Sequence, residues 1–416
     1  MTTSKIKLLS AHEIIDSRGN PTVEVYCELV SGAAGRASVP SGASTGSYEA
    51  HELRDNDPAR FNGLGVSRAV RNIEDEINKK VADGDFTQAT LDHTLVELDG
   101  TPNKSRLGAN AILGVSLAFA KAVARERGIE LYEYLGDLKG NSEFKLPEPM
   151  FNVINGGKHA DSGLDIQEFM VVPLGVETFE RKIQVVSEVI HTLKKLLQSR
   201  GYSIGVGDEG GFAPKLSSNE EALDFIIRAI KDSGYSSSEV RIALDVAATS
   251  FYERGQYHVK ISGLRKKLTS AELLDWYTHL VHHYPIISIE DGFHEEDWGA
   301  FTDLTRELGD KIQIVGDDLT VTNTVRIEKA IQNKAINSVL IKPNQIGSLT
   351  ETMNAVTMTA QQGWIPFASH RSGETTDTCI ADIAVGFSCG CIKAGSLSRG
   401  ERVCKYNRLM EIAERI

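Results

Sequence analysis

The chain has 416 residues, 41% of them hydrophobic, and a formal net charge of −12. It is too long for one compact domain and carries enough apolar residues for more than one core. The charge argues against general binding to nucleic acid or anionic membranes, and no apolar run approaches the ~20 residues that a membrane span needs.

Residues 1–20 lack the apolar centre and small-residue cleavage site of a signal peptide. Residues 14–29 and 33–39 read as strands, with Val23 and Val25 alternating around Glu24. Helical patterns follow at 67–81 and 110–127. The second puts Ile112, Leu113, Ser116, Leu117, Ala120 and Val123 on one face, with Gly128 at its exit. Strands first and helices after predict a small α+β domain over residues 1–136. Gly, Asn, Ser and Pro then interrupt the pattern over 136–149, which leaves 142–416 for a second domain.

In that second part, helices are expected at 179–200 and 220–233, each ending at a glycine. A capping box at 269–272 (TSAE) opens another. Six strand-like segments, 241–245, 286–290, 312–317, 338–342, 364–370 and 389–393, each end on or just before a polar group. Alternation with helices, at nearly even spacing after the first interval, predicts a β/α (TIM-like) barrel in which strand carboxyl ends share one mouth. The five cysteines form no CxxC pair and read as reduced packing residues, which fits the cytoplasm. Cys389 and Cys391, two apart in the last segment, are expected to face the same side as Lys393.

Asp245, Glu290 and Asp317 end successive strands. Carboxylates so placed suit a hard cation such as Mg²⁺, although any one of them alone could equally cap the following helix. Asp291 and Asp318, each following a candidate ligand, read as supports. Lys342 and Lys393 also end apolar strands, where a lysine is costly without anions or metals around it. Crowding by another cation would lower the pKa of such a lysine and fit it for base chemistry, while a structural ion pair with the acids is the plainer alternative. His370, Arg371 and Ser372 combine a guanidinium fork, a hydroxyl and loop amides, as a phosphate or carboxylate clamp would. Gly207–Gly211 carries Glu209 on a flexible turn, suited to a general acid or simply to solvent. Residues 40–46 (PSGASTG) are phosphate-loop-like without the Walker lysine and read better as a mobile lid. His159, Gln167 and Glu168 add hydrogen-bonding groups after the first barrel strands, and His159 alone would read as structural.

DSRGNPTVEV (16–25), PSGASTG (40–46), GANAILGVSLA (108–118), NVINGGKHAD (152–161), GDEGGFAP (207–214), SIEDG (288–292), GDDLTVTN (316–323), LIKPNQIGSLTET (340–352), SHRSGET (369–375) and KYNRL (405–409) resemble the enolase family in order along essentially the whole chain. The resemblance implies interconversion of 2-phosphoglycerate with phosphoenolpyruvate and water, in glycolysis and gluconeogenesis. It implies Lys342 as the base and Glu209 as the acid, with Asp245, Glu290 and Asp317 on a first Mg²⁺. Ser44 would help to bind a second, substrate-assisted Mg²⁺. His159, Gln167, Glu168, His370, Arg371, Ser372 and Lys393 would surround the substrate. A homodimer or octamer, and a barrel with irregular opening strands, are also implied. Pro343 departs from the family's usual apolar residue after the base, but it favours the extended backbone that a strand-end lysine already has. Rival readings are a binding or structural protein on this scaffold, or another carboxylate-enolising lyase.

Overall fold

The computed structural model describes residues 3–43 and 45–416, so the expectation for Ser44 lies outside the described residues. The amino-terminal sheet is antiparallel, ordered β3-β2-β1-β4, from β1 (Ser4–Ile15), β2 (Pro21–Leu29), β3 (Ala34–Ser38) and β4 (Asp85–Phe86). The single strand expected over 14–29 is therefore two strands and a turn. Asp16 makes the turn, its carboxylate accepting from the backbone N–H of Arg18 (2.8 Å) and Asn20 (2.9 Å), with Gly19 at φ 80°. Such a side-chain-to-backbone turn competes locally with an extended ladder. Residues 67–81 are helical as expected, with a wide π turn at Asn72–Ile77.

Helix Ala109–Arg127 lies across this sheet with nearly all of its length buried. Gly35 permits the contact, because a Cβ there would stand 2.1 Å from the Ala118 carbonyl oxygen. Ile112, Val115, Phe119 and Val123 from the helix join Val23, Val25 and Cys27 in one core.

The largest sheet is a closed eight-stranded barrel ordered β11-β12-β13-β14-β15-β5-β6-β7. Its opening is irregular. β5 (Glu148–Asn155) and β6 (Glu168–Val172) are antiparallel, as are β6 and β7 (Arg241–Asp245), while helices Phe179–Ser199 and Asn219–Asp232 fill the β6–β7 connection. Between β7 and the next barrel strand lies a three-stranded antiparallel sheet that the sequence reading missed: β8 (Tyr252–Glu253), β9 (Gln256–Ile261) and β10 (Leu264–Leu268). This insertion explains the long first interval. Thr269 then caps helix Ser270–His283 in the expected capping box. The barrel continues through β11 (Ile286–Glu290), β12 (Gln313–Gly316), β13 (Ser338–Ile341), β14 (Ile365–Ser369) and β15 (Cys391–Lys393), all parallel.

The barrel interior sorts apolar from polar by depth. Met150, Met170, Val172, Ala243, Val315, Leu340 and Phe367 form a separate inner cluster, with Ile287, Ile365 and Cys391 against it. Two residues further toward the mouth, on the same face, stand Asn152, Glu168, Asp245, Asp317, Lys342, Ser369 and Lys393. β11 stays in phase through a register shift between Ile286 and Ser288, which sets Glu290 opposite Asp245. The expectation for Cys389 fails. Cys391 packs on the barrel interior, but Cys389 precedes the strand and belongs to the outer core, since Ser388 turns the chain at φ 53° and strand alternation starts only at 391. All five cysteines are free.

Candidate active site

Lys393 is the centre of the barrel mouth's floor. Its ammonium donates to Glu168 (3.2 Å), Asp245 (3.1 Å) and both oxygens of Glu290 (2.9 and 3.0 Å), with only 3% of its side chain exposed. Burial alone would lower its pKa, yet Asp245, Glu168 and Glu290 hold it well above the ordinary lysine value. Glu290 answers in kind, pushed well above the carboxylate range by burial and by Asp245. Gln167 donates to Asp245 (3.3 Å).

Lys342 follows β13 in extended backbone (φ −123°, ψ 104°), and Pro343 takes the first position of the short helix Pro343–Ile346, where a missing N–H costs nothing. Its ammonium meets Asp317 at 2.5 Å, and Gln345 donates to the other Asp317 oxygen at 2.9 Å. The expected depression of its pKa is reversed. Burial does work to lower it, and Arg371 and Lys393 add to that, but the Asp317 carboxylate outweighs them and holds it above the ordinary value. Asp291 supports the adjoining loop by accepting from the backbone N–H of Asp317 (2.9 Å) and Asp318 (2.7 Å).

Glu209 lies on another side of the same pocket. It accepts from Asn152 (3.1 Å), with the His159 and His370 rings each 3.5 Å from a carboxylate oxygen. Glu209 and Glu168 form a buried acid pair that shares His159 as a neighbour. Burial and Glu209 drive Glu168 well above the carboxylate range; for Glu209 burial is overcome by His159, His370 and Arg402, and its pKa falls well below it. Their oxygens lie within 4.8 Å of each other, so the buried pair resists double ionisation and retains a proton. His370 is pushed down to about 4, chiefly by burial, and is neutral at pH 7.

The wall that carries His370 depends on a residue that sequence reasoning missed. Arg402, fully buried on helix Gly400–Ala413, donates to His370 Nδ1 (2.6 Å) and to the carbonyls of Arg371 (2.6 Å), Ser372 (2.6 Å) and Asp208 (3.1 Å). It ties the clamp loop to the Glu209 loop. Glu49, Asn152 and Gln345 were also missed as site residues. Gln345 stands inside the 340–352 motif, three residues past Lys342, the only signal that could have found it.

Ser372 accepts from the Ala43 N–H (2.6 Å), and Ser41 and Gly373 exchange backbone hydrogen bonds (2.7 and 2.8 Å), so the 40–46 segment reaches the clamp. Gly42 packs so closely that a Cβ would lie 1.9 Å from Arg371 Nη2. Arg371 is paired end-on with Glu49, at 2.8 and 3.1 Å.

Six carboxylates and three permanent cations line this pocket, with Glu290 beside it. The donor set fits a hard divalent cation, being rich in carboxylate oxygens and surplus in negative charge. Buried Gln167 Oε1 and Glu168 Oε2 also lack protein partners. Among the described residues, two trios bring possible ligand atoms within 4.8 Å of one another: His159, Glu168 and Glu209, and Asp291, Asp317 and Asp318. Around Asp245, Glu290 and Asp317 the two lysine ammoniums stand among the carboxylates instead.

A buried mouth of opposed acids and lysines, reached by a segment of a second domain, defines the class as a capped β/α-barrel enzyme. Among known families, the model described as Enolase, N-terminal domain matches residues 6–135, and that described as Enolase, C-terminal TIM barrel domain matches 143–416. The chain belongs to the enolase family and is an enolase-type lyase. Among the described residues, no helix is long and apolar enough to cross a membrane.

Proposed function

We propose that the chain interconverts 2-phosphoglycerate with phosphoenolpyruvate and water, as a Mg²⁺-dependent cytoplasmic enzyme of glycolysis and gluconeogenesis acting as a homodimer or octamer. The observation that carries this reading is a candidate base and a candidate acid in one pocket with separate supports. Lys342 leans on Asp317, and Glu209 leans on Asn152 between two histidines. A dehydration needs that separation, since one group must take a proton from C2 while another delivers one to the departing C3 hydroxyl.

Lys342 removes the C2 proton. Asp245, Glu290 and Asp317 would hold the first Mg²⁺, and Ser44 would help with the second. Bound there, the metal would supply positive charge that neutralises Asp317, which otherwise keeps Lys342 protonated, and offsets the charge that develops on the substrate. Lys393, fixed by three carboxylates, adds a buried positive charge where the carboxylate gains negative charge. Glu209, sharing the buried pair's proton with Glu168, delivers it to the departing C3 hydroxyl, which leaves as water, with His159 and Gln167 beside it. Arg371, Ser372 and His370 receive the phosphate. A direct test follows phosphoenolpyruvate formation from 2-phosphoglycerate with Mg²⁺ and again after EDTA. Turnover that disappears with EDTA and returns with Mg²⁺ supports the reading, and no turnover with Mg²⁺ overturns it.

A further inference from the structure

Three consecutive residues past the 40–46 segment dock on three different parts of the barrel domain, two loops and the helix Thr324–Asn333. Ser47 donates through its N–H (3.0 Å) and its hydroxyl (2.5 Å) to Glu295. The Tyr48 ring stacks on the Arg326 guanidinium at 3.9 Å, and Arg326 is itself anchored to Glu296 (2.8 Å) and to the Leu319 carbonyl (2.7 Å). Glu49 alone points inward, bidentate on Arg371, with 9% of its side chain exposed against 2% for the arginine. The same carboxylate accepts from the Gly46 N–H (3.1 Å) and from Gln345 (3.3 Å), whose amide also holds Asp317.

The partners of Ser47 and Tyr48, Glu295 and Arg326, are buried or nearly so, but neither lines the pocket. Glu49 differs, because a fork-on-fork pair fixes both the position and the plane of the guanidinium. Asn344 Oδ1 accepts from the same Arg371 nitrogen at 3.0 Å, so the end of the guanidinium is held on both sides. We propose that Glu49 is the positioning residue of the anion clamp: it latches residues 46–50 onto the barrel and, by the same bond, holds Arg371 in the orientation that receives the substrate's phosphate. The role as clamp rests on the function proposed above, but the latch itself does not.

The latch is tested without substrate. Hydrogen exchange at the Gly46, Ser47 and Ala50 amides should quicken at least about tenfold in Glu49→Gln, the loss expected for charge-assisted bonds. Arg371→Lys should do the same, and the double variant should exchange no faster than the faster single one. Exchange at the wild-type rate in Glu49→Gln, or additive acceleration in the double variant, would overturn the latch. For the clamp, Glu49→Gln should raise KM for 2-phosphoglycerate at least about tenfold and lower kcat less, and an unchanged KM would overturn the positioning role. A wild-type chain that fails to turn over 2-phosphoglycerate would refute the function while leaving the exchange result to stand.

Discussion

Arg402→Met would remove a buried side chain that ties the His370–Ser372 loop to the Glu209 loop. Methionine fills much of the same volume, so the loss is mainly of hydrogen bonds. Four buried acceptors would be stranded, three of them at 2.6 Å from the guanidinium. Bonds from a charged donor contribute about 1.5–3 kcal/mol each, but burying the guanidinium itself is costly and offsets part of this. A net destabilisation of about 4 kcal/mol follows. With an unfolding entropy of about 2.1 cal/mol/K per residue, 416 residues give about 0.9 kcal/mol/K, and Tm should fall by about 5 °C. Turnover should fall at least about a hundredfold, because His370, the Ser372 loop and Glu209 lose register together. Calorimetry and steady-state assay on one preparation measure both. A variant that melts within about 1 °C of wild type and keeps its turnover would refute the hub role of Arg402.

The remaining predictions concern protons and metal. Because burial holds His370 at about 4 against 6.5, the unfolded chain takes up a proton in that window that the folded chain refuses, and stability falls as pH drops through it. The loss from this group between pH 7 and 5 should be roughly 2 kcal/mol, and His370→Gln should flatten the stability profile by that amount; equal slopes would contradict the buried neutral imidazole. Asp317→Asn removes the partner of Lys342 and one proposed ligand. Calorimetric Mg²⁺ affinity should drop at least about tenfold with the fold retained, and unchanged affinity would place the ion elsewhere.

Much of the site was legible because a barrel turns sequence position into spatial position. Asp245, Glu290, Lys342 and Lys393 end apolar strands, so their types and spacing predicted one mouth, and the structure gathers them there. The sequence showed less where side chains act across the period. Arg402 sits on an ordinary-looking helix, and nothing local marks it as a donor to a loop some thirty residues earlier. Glu49 lies beyond the glycine-rich segment, and its partner Arg371 comes from a loop of the other domain. The Lys342 pKa was misjudged because spacing shows which charges are near but not which is nearest, and here Asp317 lies closest. The turn at Asp16 and the inserted sheet β8–β10 were lost to short polar segments, where alternation cannot be told from a loop.

Isotope exchange at C2 tests the central claim, that Lys342 takes the proton and Glu209 serves the C3 hydroxyl. The wild-type chain and the variants Lys342→Ala and Glu209→Gln are incubated with 2-phosphoglycerate and Mg²⁺ in deuterated water, and the C2 hydrogen and phosphoenolpyruvate are followed together by NMR. Glu209→Gln should still exchange the C2 hydrogen while forming almost no phosphoenolpyruvate, and Lys342→Ala should do neither. Normal C2 exchange by Lys342→Ala would contradict the account and assign the base to another residue.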